Sequence, residues 1–399
     1  MNRKIKVLIF ISSIIIVALG FLISEKISPE KKINETSVDE DNKASNVDDS
    51  SKNNTNEADL FEQYYDSADK ILNNMTLDEK VGQLFYARYP LGDATSEIIN
   101  EQPGGYILFA KDFENETKDT FYSKISKNQQ SSKIKMFIGV DEEGGTVVRV
   151  SKYKSFRESP FLAPQKVYEQ GGMELIETDT YEKTNLLLSL GINTNFAPVV
   201  DIPTNQYSFM YDRSFGTDPT LTSEYVRRVV DITNRKKFIS VLKHFPGYGD
   251  NVDTHTGIAI DNRTLDNFKE VDFKPFEAGI ETSVPMIMVN HNIISNIDSK
   301  YPASLSKEVH DILRNDLNFS GLIITDDLTM EAVSKYTSDG SASVQAIIAG
   351  NDMIISSDFK KQKAEVLEAV KNNTISEERI NESVRRILAC KLAYGIIEE

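Results

Sequence analysis

Residues 243–255 read KHFPGYGDNVDTH and carry two of the chain's four histidines, two aspartates, a proline and two glycines. Pro246, Gly247 and Gly249 forbid regular continuation. The apolar run ISVLKHF (239–245) therefore ends as a strand at Lys243 and His244, and Asp253 and His255 ride on the loop that follows. At i, i+2 spacing Asp253 reaches the ring of His255, orienting one tautomer and stabilising the imidazolium, which makes an acid/base dyad. A metal site built from His244, Asp250, Asp253 and His255 fits the pattern poorly. Those residues match neither HxxxH nor HxxEH spacing, and the Lys243 cation opposes a divalent ion. A purely structural loop, with Asp and Asn capping turns, stays open as the alternative.

A second constellation is GLIITDDLTM (321–330), in which Asp326 and Asp327 close a strand. Successive strand side chains point to opposite faces, so one carboxylate faces inward while its neighbour is held in the wall or caps the next helix. One inward carboxylate opposite an aspartate-oriented histidine suits displacement at an anomeric carbon: the carboxylate attacks and the histidine protonates the leaving oxygen. A histidine, of ordinary pKa about 6.5, can give that proton near neutrality and then act as a neutral base toward water. Taken alone, the motif fits equally two aspartates that cap a helix.

Such groups need a scaffold. Short apolar runs recur at 83–88, 104–110, 136–141, 192–202, 239–245, 286–291, 321–327 and 351–357. Most are nearly continuous in Ile, Val, Leu and Phe, as expected of strands buried on both faces of a parallel sheet. Helical patterns at 175–191, 223–238 and 305–321 lie between them, and Thr76 with Glu79 makes a capping box. Eight strands alternating with helices predict an α/β fold, a (β/α)8 barrel of the TIM type, with a doubly wound open sheet as the alternative. Six runs end in Arg88, Asp141, Asp201, His244, His291 and Asp326. In a barrel all those ends converge on one mouth; an open sheet uses only the ends near its switch point.

The remaining composition bounds the class. A formal charge of −16 argues against a nucleic-acid partner. The lone Cys390 excludes a disulfide framework and reads as a packing residue. Residues 7–23, VLIFISSIIIVALGFLI, follow a basic start and are uncharged. The expectation is a signal anchor or signal peptide over 1–26, a disordered polar linker over 27–58, and one catalytic domain over 59–399. The domain is then extracytoplasmic, held at the cell membrane by the N-terminal segment, or secreted if that segment is cleaved. A monomer is the default.

The motifs KHFPGYGDNVDTH, IGVDEEGG, NTNFAPVVDI, DRSFG, IITDDLTM, AGNDM and MTLDEKVGQLF together resemble the single-domain β-N-acetylglucosaminidases of glycoside hydrolase family 3, the NagZ type. The resemblance runs over roughly residues 60–399. It implies a barrel that hydrolyses with retention, Asp326 as nucleophile, Asp253 and His255 as acid/base pair, and Asp141, Arg149, Arg213, Lys243 and His244 as the grip on a terminal N-acetylglucosamine. Asp141 and Arg213 are then the donors and acceptors for ring hydroxyls. Tyr248 stands where the family's HFPGHG motif has a second histidine, and TGIAI replaces its small-residue and proline ending.

The implied activity is exo-acting removal of N-acetylglucosamine from peptidoglycan-derived saccharides or muropeptides, without metal or cofactor. The chain has no tryptophan to stack on a long polysaccharide, which suits a short pocket. The alternatives within the family are a phosphorylase, in which phosphate resolves the glycosyl-enzyme, and a β-glucosidase. The alternative of another class is an inactive cell-wall-binding protein.

Overall fold

The computed structural model describes residues 59–254, 257, 259–329, 333 and 341–398. The expected anchor and linker, 1–26 and 27–58, lie outside the described residues, as do His255 and most of 330–340. Among the described residues no helix is long and apolar enough to cross a membrane.

All eight apolar runs form strands of one parallel sheet. In chain order they are β1 (Phe85–Arg88), β2 (Gly105–Leu108), β3 (Phe137–Val140), β4 (Thr194–Asn195), β5 (Ile239–Phe245), β7 (Met286–Val289), β9 (Leu322–Thr325) and β10 (Ile354–Ser356). Their order is β10-β1-β2-β3-β4-β5-β7-β9, and a parallel bridge between Ile324 and Met353 joins the two edges into a nearly closed barrel. Two short strands, β6 (Ile260–Asp261) and β8 (Ile293–Ile294), pair separately. Buried residues run the length of most barrel strands because helices cover the outside and side chains fill the inside.

That filling follows from size. Tyr86 of β1 packs against Phe137 and, edge to face, against Phe196 at 5.2 Å. β2 and β3 present Gly105 and Gly139 beneath these rings, where an added Cβ would come within 2.8 Å of Tyr86 and 2.6 Å of Phe196. The buried Tyr86 hydroxyl donates to Thr194 at 2.9 Å, so the ring's polar end has a partner.

The run at 192–202 is strand over only Thr194–Asn195. Pro198 lacks an N–H and interrupts the ladder, which resumes as a bridge between Val199 and Lys243. The helical patterns appear at Pro164–Ser189, Pro219–Arg235 and Lys307–Asp311. The first is broken at Gly171–Gly172, where Gly172 has φ 62°, and the third continues as a π-helical turn, Ile312–Asp316. The Thr76–Glu79 capping box is present, and Cys390 is buried and free.

At the N-terminal end of β10, Asp352 is buried. Its carboxylate accepts from Arg386 at 2.6 Å, Ser383 at 2.9 Å, the Ile323 amide at 3.0 Å, and Arg314. Burial opposes its ionisation, but Arg386 and Arg314 outweigh it and hold the carboxyl down at about 2. This cluster ties the helix Glu377–Ala393 to the barrel floor, far along the strands from their chemically equipped ends.

Candidate active site

The strand ends assemble a buried polar set. Lys243 donates to Asp141 at 2.7 Å and lies 2.6 Å from Glu143. The Arg213 guanidinium grips Glu143 with two bonds, at 3.0 and 2.7 Å. Burial penalises the Glu143 carboxylate, but Lys243 and Arg213 outweigh it and hold its pKa well below the usual range. Burial likewise opposes the Lys243 ammonium, and Asp141 and Glu143 more than restore it, raising its pKa. Both groups are therefore ionised at neutral pH.

Two local devices build this arrangement. Between Lys243 and Phe245 the β5–β7 register slips by one residue, and His244 is the extra one, so consecutive side chains Lys243 and His244 both serve the mouth. On β3, the chain turns back directly after Asp141-Glu142-Glu143 through Gly144 (φ 103°) and Gly145 (φ 64°). A Cβ on Gly144 would meet the Leu162 carbonyl at 2.2 Å, so only glycine fits this turn. Glu142 points away from the mouth and organises the loop. Its carboxylate accepts from the amides of Arg149 (2.8 Å), Val150 (2.7 Å) and Ser151 (3.2 Å), and thereby sets where Arg149 stands.

His244 is held by Asp201, whose Oδ2 lies 2.7 Å from Nδ1. The Nε2 faces Arg213 at 3.5 Å, which favours the tautomer with the proton on Nδ1. The other Asp201 oxygen accepts the Tyr248 amide at 2.7 Å. Tyr248 stacks edge-on against His244 at 5.1 Å, and its hydroxyl lies 2.5 Å from that of Thr254, the residue between Asp253 and His255. Burial first, and the charge of Asp326 second, push the Tyr248 pKa far up, so the phenol stays protonated. Asp250 fixes the same loop from the other side, accepting the Thr204 and Asn205 amides at 2.8 Å each.

Asp326 follows β9, its amide bonded to the Val289 carbonyl at 3.0 Å and one carboxylate oxygen accepting the Asp327 amide at 2.8 Å. Asp327 is the wall residue of the pair: its carboxylate accepts from Thr329 and Ser357. His291 steadies this turn, with Nδ1 2.7 Å from Ser304 and Nε2 3.1 Å from the Asp327 carbonyl. It is a positioning group. Arg88 is likewise committed, forked onto the buried Asp112 at 2.7 and 3.0 Å.

The structure thus brings Asp141, Arg213, Lys243 and His244 into one buried cluster and puts Arg149 on the adjoining β3 loop. Asp253 lies on the loop anchored by Thr254, and its expected partner His255 is outside the described residues. The Arg213 fork expected to meet a sugar is engaged by Glu143. Glu142, Glu143 and the Tyr248–Thr254 pair support the candidate residues, and spacing alone did not single them out.

A carboxylate following β9 and a charged, hydrogen-bonding cluster at the ends of β3 and β5, in one parallel barrel, are groups that a glycoside hydrolase site can use. The chain belongs to glycosyl hydrolase family 3: the family's N-terminal domain model matches residues 76–390. A β-hexosaminidase A of Pseudoalteromonas piscicida is 29% identical over 326 residues, covering 74% of this chain and 54% of its own length. A β-hexosaminidase of Methylococcus capsulatus is 31% identical over 290 residues, covering 71% of this chain and 84% of its own. The chain thus spans about half of the first relative and most of the second. Among solved structures, a family 3 β-N-acetylglucosaminidase from Paenibacillus superposes with a TM-score of 0.75 at 30% identity, over 81% of this chain and 63% of that one.

Proposed function

We propose that the chain is an exo-acting, retaining β-N-acetylglucosaminidase that removes terminal N-acetylglucosamine from peptidoglycan-derived saccharides or muropeptides. The observation that carries the reading is the joint presence, at one barrel mouth, of Asp326 and the Asp141–Lys243–Glu143–Arg213 cluster. The names of the relatives supply the sugar.

In this reading an Asp326 oxygen forms a bond to the anomeric carbon as the bond to the leaving oxygen breaks, and His255, oriented by Asp253, gives that oxygen its proton. Water then attacks the glycosyl-enzyme, His255 takes up the water's proton, and Asp326 leaves as carboxylate. Asp141, Arg149, Arg213, Lys243 and His244 hold the sugar hydroxyls, while Glu143 fixes the Lys243 and Arg213 cations in place. The N-terminal apolar segment places the catalytic domain outside the cytoplasmic membrane, where cell-wall fragments are available.

Hydrolysis of p-nitrophenyl N-acetyl-β-glucosaminide tests the reading against the matching glucoside, with and without phosphate and with the anomer followed by NMR. Release of β-N-acetylglucosamine by wild type, lost in Asp326→Ala, supports it. Preference for the glucoside, a glycosyl phosphate product, or an active Asp326→Ala refutes it.

A further inference from the structure

In the proposed reading the acid rides on the loop that leaves β5 at Phe245 and returns at β6, Ile260–Asp261. The loop's exit is tied to its neighbours by backbone: the Ala259 carbonyl accepts the Ile293 amide at 2.8 Å, and β6 pairs with β8. Its entry is held differently. Gly247 and Gly249 have φ 127° and 53°, and the turn they make rests on the side chain of Arg263.

The Arg263 guanidinium gathers three separate stretches of chain. It donates to the Gly247 carbonyl at 3.0 Å, to Asp272 at 2.7 Å, and to Asp261 at 2.8, 3.0 and 3.1 Å. Asp261 closes the loop's exit. Asp272 immediately precedes the helix Phe273–Glu281, whose Phe273 and Phe276 pack on Phe245 of β5 with ring centroids 5.4 and 5.1 Å apart. One planar cation thus joins the loop's entry, its exit and the wall behind the strand.

An ion pair that only stapled the wall has no need of the loop so close. A Cβ on Gly247 would come within 2.2 Å of Asp272 Oδ1, and one on Gly249 within 2.9 Å of the guanidinium carbon. Glycine at both places lets the turn lie directly on the Arg263–Asp272 pair. Asp272 Oδ1 is buried and has no hydrogen-bond partner among the described residues, so packing alone sets it against Gly247. Burial, opposed by Arg263 and reinforced by Asp201 and Asp261, pushes the Asp272 pKa up to about 7. The turn in turn carries Tyr248, whose amide donates to Asp201 and whose hydroxyl meets Thr254, the neighbour of Asp253.

We infer that Arg263, clamped by Asp261 and Asp272, is a positioning residue for proton transfer: it fixes where the loop leaves β5 and so where the acid/base pair stands. Lysine cannot replace it, because a single ammonium lacks the planar fork that reaches both carboxylates and the Gly247 carbonyl at once. The inference rests on the proposed reading that places the acid on this loop.

Arg263→Lys in the full chain keeps the charge and loses the fork. It is to lower kcat/KM for di-N-acetylchitobiose about 10–100-fold, because a displaced acid gives up much of its contribution. The dinitrophenyl N-acetyl-β-glucosaminide, whose leaving group needs no proton, is to stay within about twofold. Inhibition by N-acetylglucosamine, which reads the gripping cluster, is to be unchanged. Should that variant not fold, Asp272→Asn, which imitates the neutral carboxyl and keeps an acceptor for Arg263, is to show the same split at about two- to fivefold on chitobiose. An undiminished rate on chitobiose, equal losses on the two substrates, or weaker N-acetylglucosamine inhibition overturns the inference while leaving the glycosidase reading intact. If wild type cleaves neither substrate, the glycosidase reading fails, and amide hydrogen exchange over 247–254 decides the anchor. Faster exchange there alone in Arg263→Lys supports it, and unchanged exchange overturns it.

Discussion

Glu143→Gln isolates what the buried charge cluster does. Glu143 contacts Lys243 at 2.6 Å and Arg213 at 2.7 and 3.0 Å, and all three side chains are largely shielded from water. At an effective dielectric of about 20, unit charges about 4 Å apart attract by about 4 kcal/mol, much of it offset by desolvation. Removing one partner of a buried pair costs about 3–5 kcal/mol because the other charge is stranded. Here Lys243 keeps Asp141, whereas Arg213 loses its only carboxylate contact among the described residues. Glutamine also retains an acceptor oxygen, so the lower figure, about 3 kcal/mol, is expected. Urea unfolding followed by circular dichroism measures it, since the chain lacks tryptophan. The sign with pH follows from the depressed Glu143 pKa. Its contribution is complete above the ordinary glutamate value of about 4.3 and is lost as pH falls through the lower folded value. The gap between wild type and Glu143→Gln is therefore full at pH 7 and narrows below about pH 4. Equal urea midpoints at pH 7, or a gap unchanged down to pH 2, would refute the reasoning. Adding Arg213→Met to Glu143→Gln is to recover part of the loss, because it removes the stranded charge.

His255→Ala is expected to slow substrates with alkoxide leaving groups by about 10²–10⁴-fold and nitrophenyl glycosides far less, since only the former need protonation; parallel losses on both would remove it as the acid. Tyr248→Phe deletes the 2.5 Å contact with Thr254 and is to lower kcat about 3–10-fold with KM held, the effect of one hydrogen bond. Thr254→Val should reproduce that loss and add nothing in the double variant, whereas additive losses would deny the contact a role. Asp201→Asn is to raise KM and lower kcat together, because its two oxygens hold His244 and the Tyr248 amide; a change in KM alone would show the loop does not depend on it. Asp352→Asn is to cost about 3–5 kcal/mol in urea unfolding by stranding Arg314 and Arg386, with KM unchanged at 25 °C.

The barrel was legible because burial on both faces writes each strand as an apolar run, and all eight runs became sheet members. The strand ends were legible for the same reason: a charged residue closing such a run has nowhere to go but the mouth. Long-range pairings left no such trace. Glu143 stands two residues after Asp141, the spacing of one strand face, yet the chain has already turned at Gly144, and its partners are 70 and 100 residues away. The Glu143 partner of Arg213 was not legible, because a guanidinium at a motif position looks the same in sequence whether or not a carboxylate holds it. The bulge that lets both Lys243 and His244 face the site is also silent in sequence, since strand alternation alone sends neighbours to opposite sides. Arg88 and His291 show the converse. Both close apolar runs, but Arg88 is bonded to Asp112 and His291 to the backbone of Asp327, so position at a strand end predicted proximity and not role.

The Tyr248 departure from the family motif gains a meaning the motif could not supply. A histidine at this position would lack the reach of a phenol, and here the hydroxyl joins Thr254 while the ring lies on His244. In the proposed reading Asp201 therefore anchors the strand that grips the sugar and, through the Tyr248 amide, the loop that carries the acid. On that reading binding and proton transfer share one buried carboxylate. Glu143 acts differently: it touches only the gripping side, through Lys243 and Arg213. Substitutions at Glu143, Asp201 and Tyr248 therefore sort into KM, both constants, and kcat, an order set by which hydrogen bonds each one breaks.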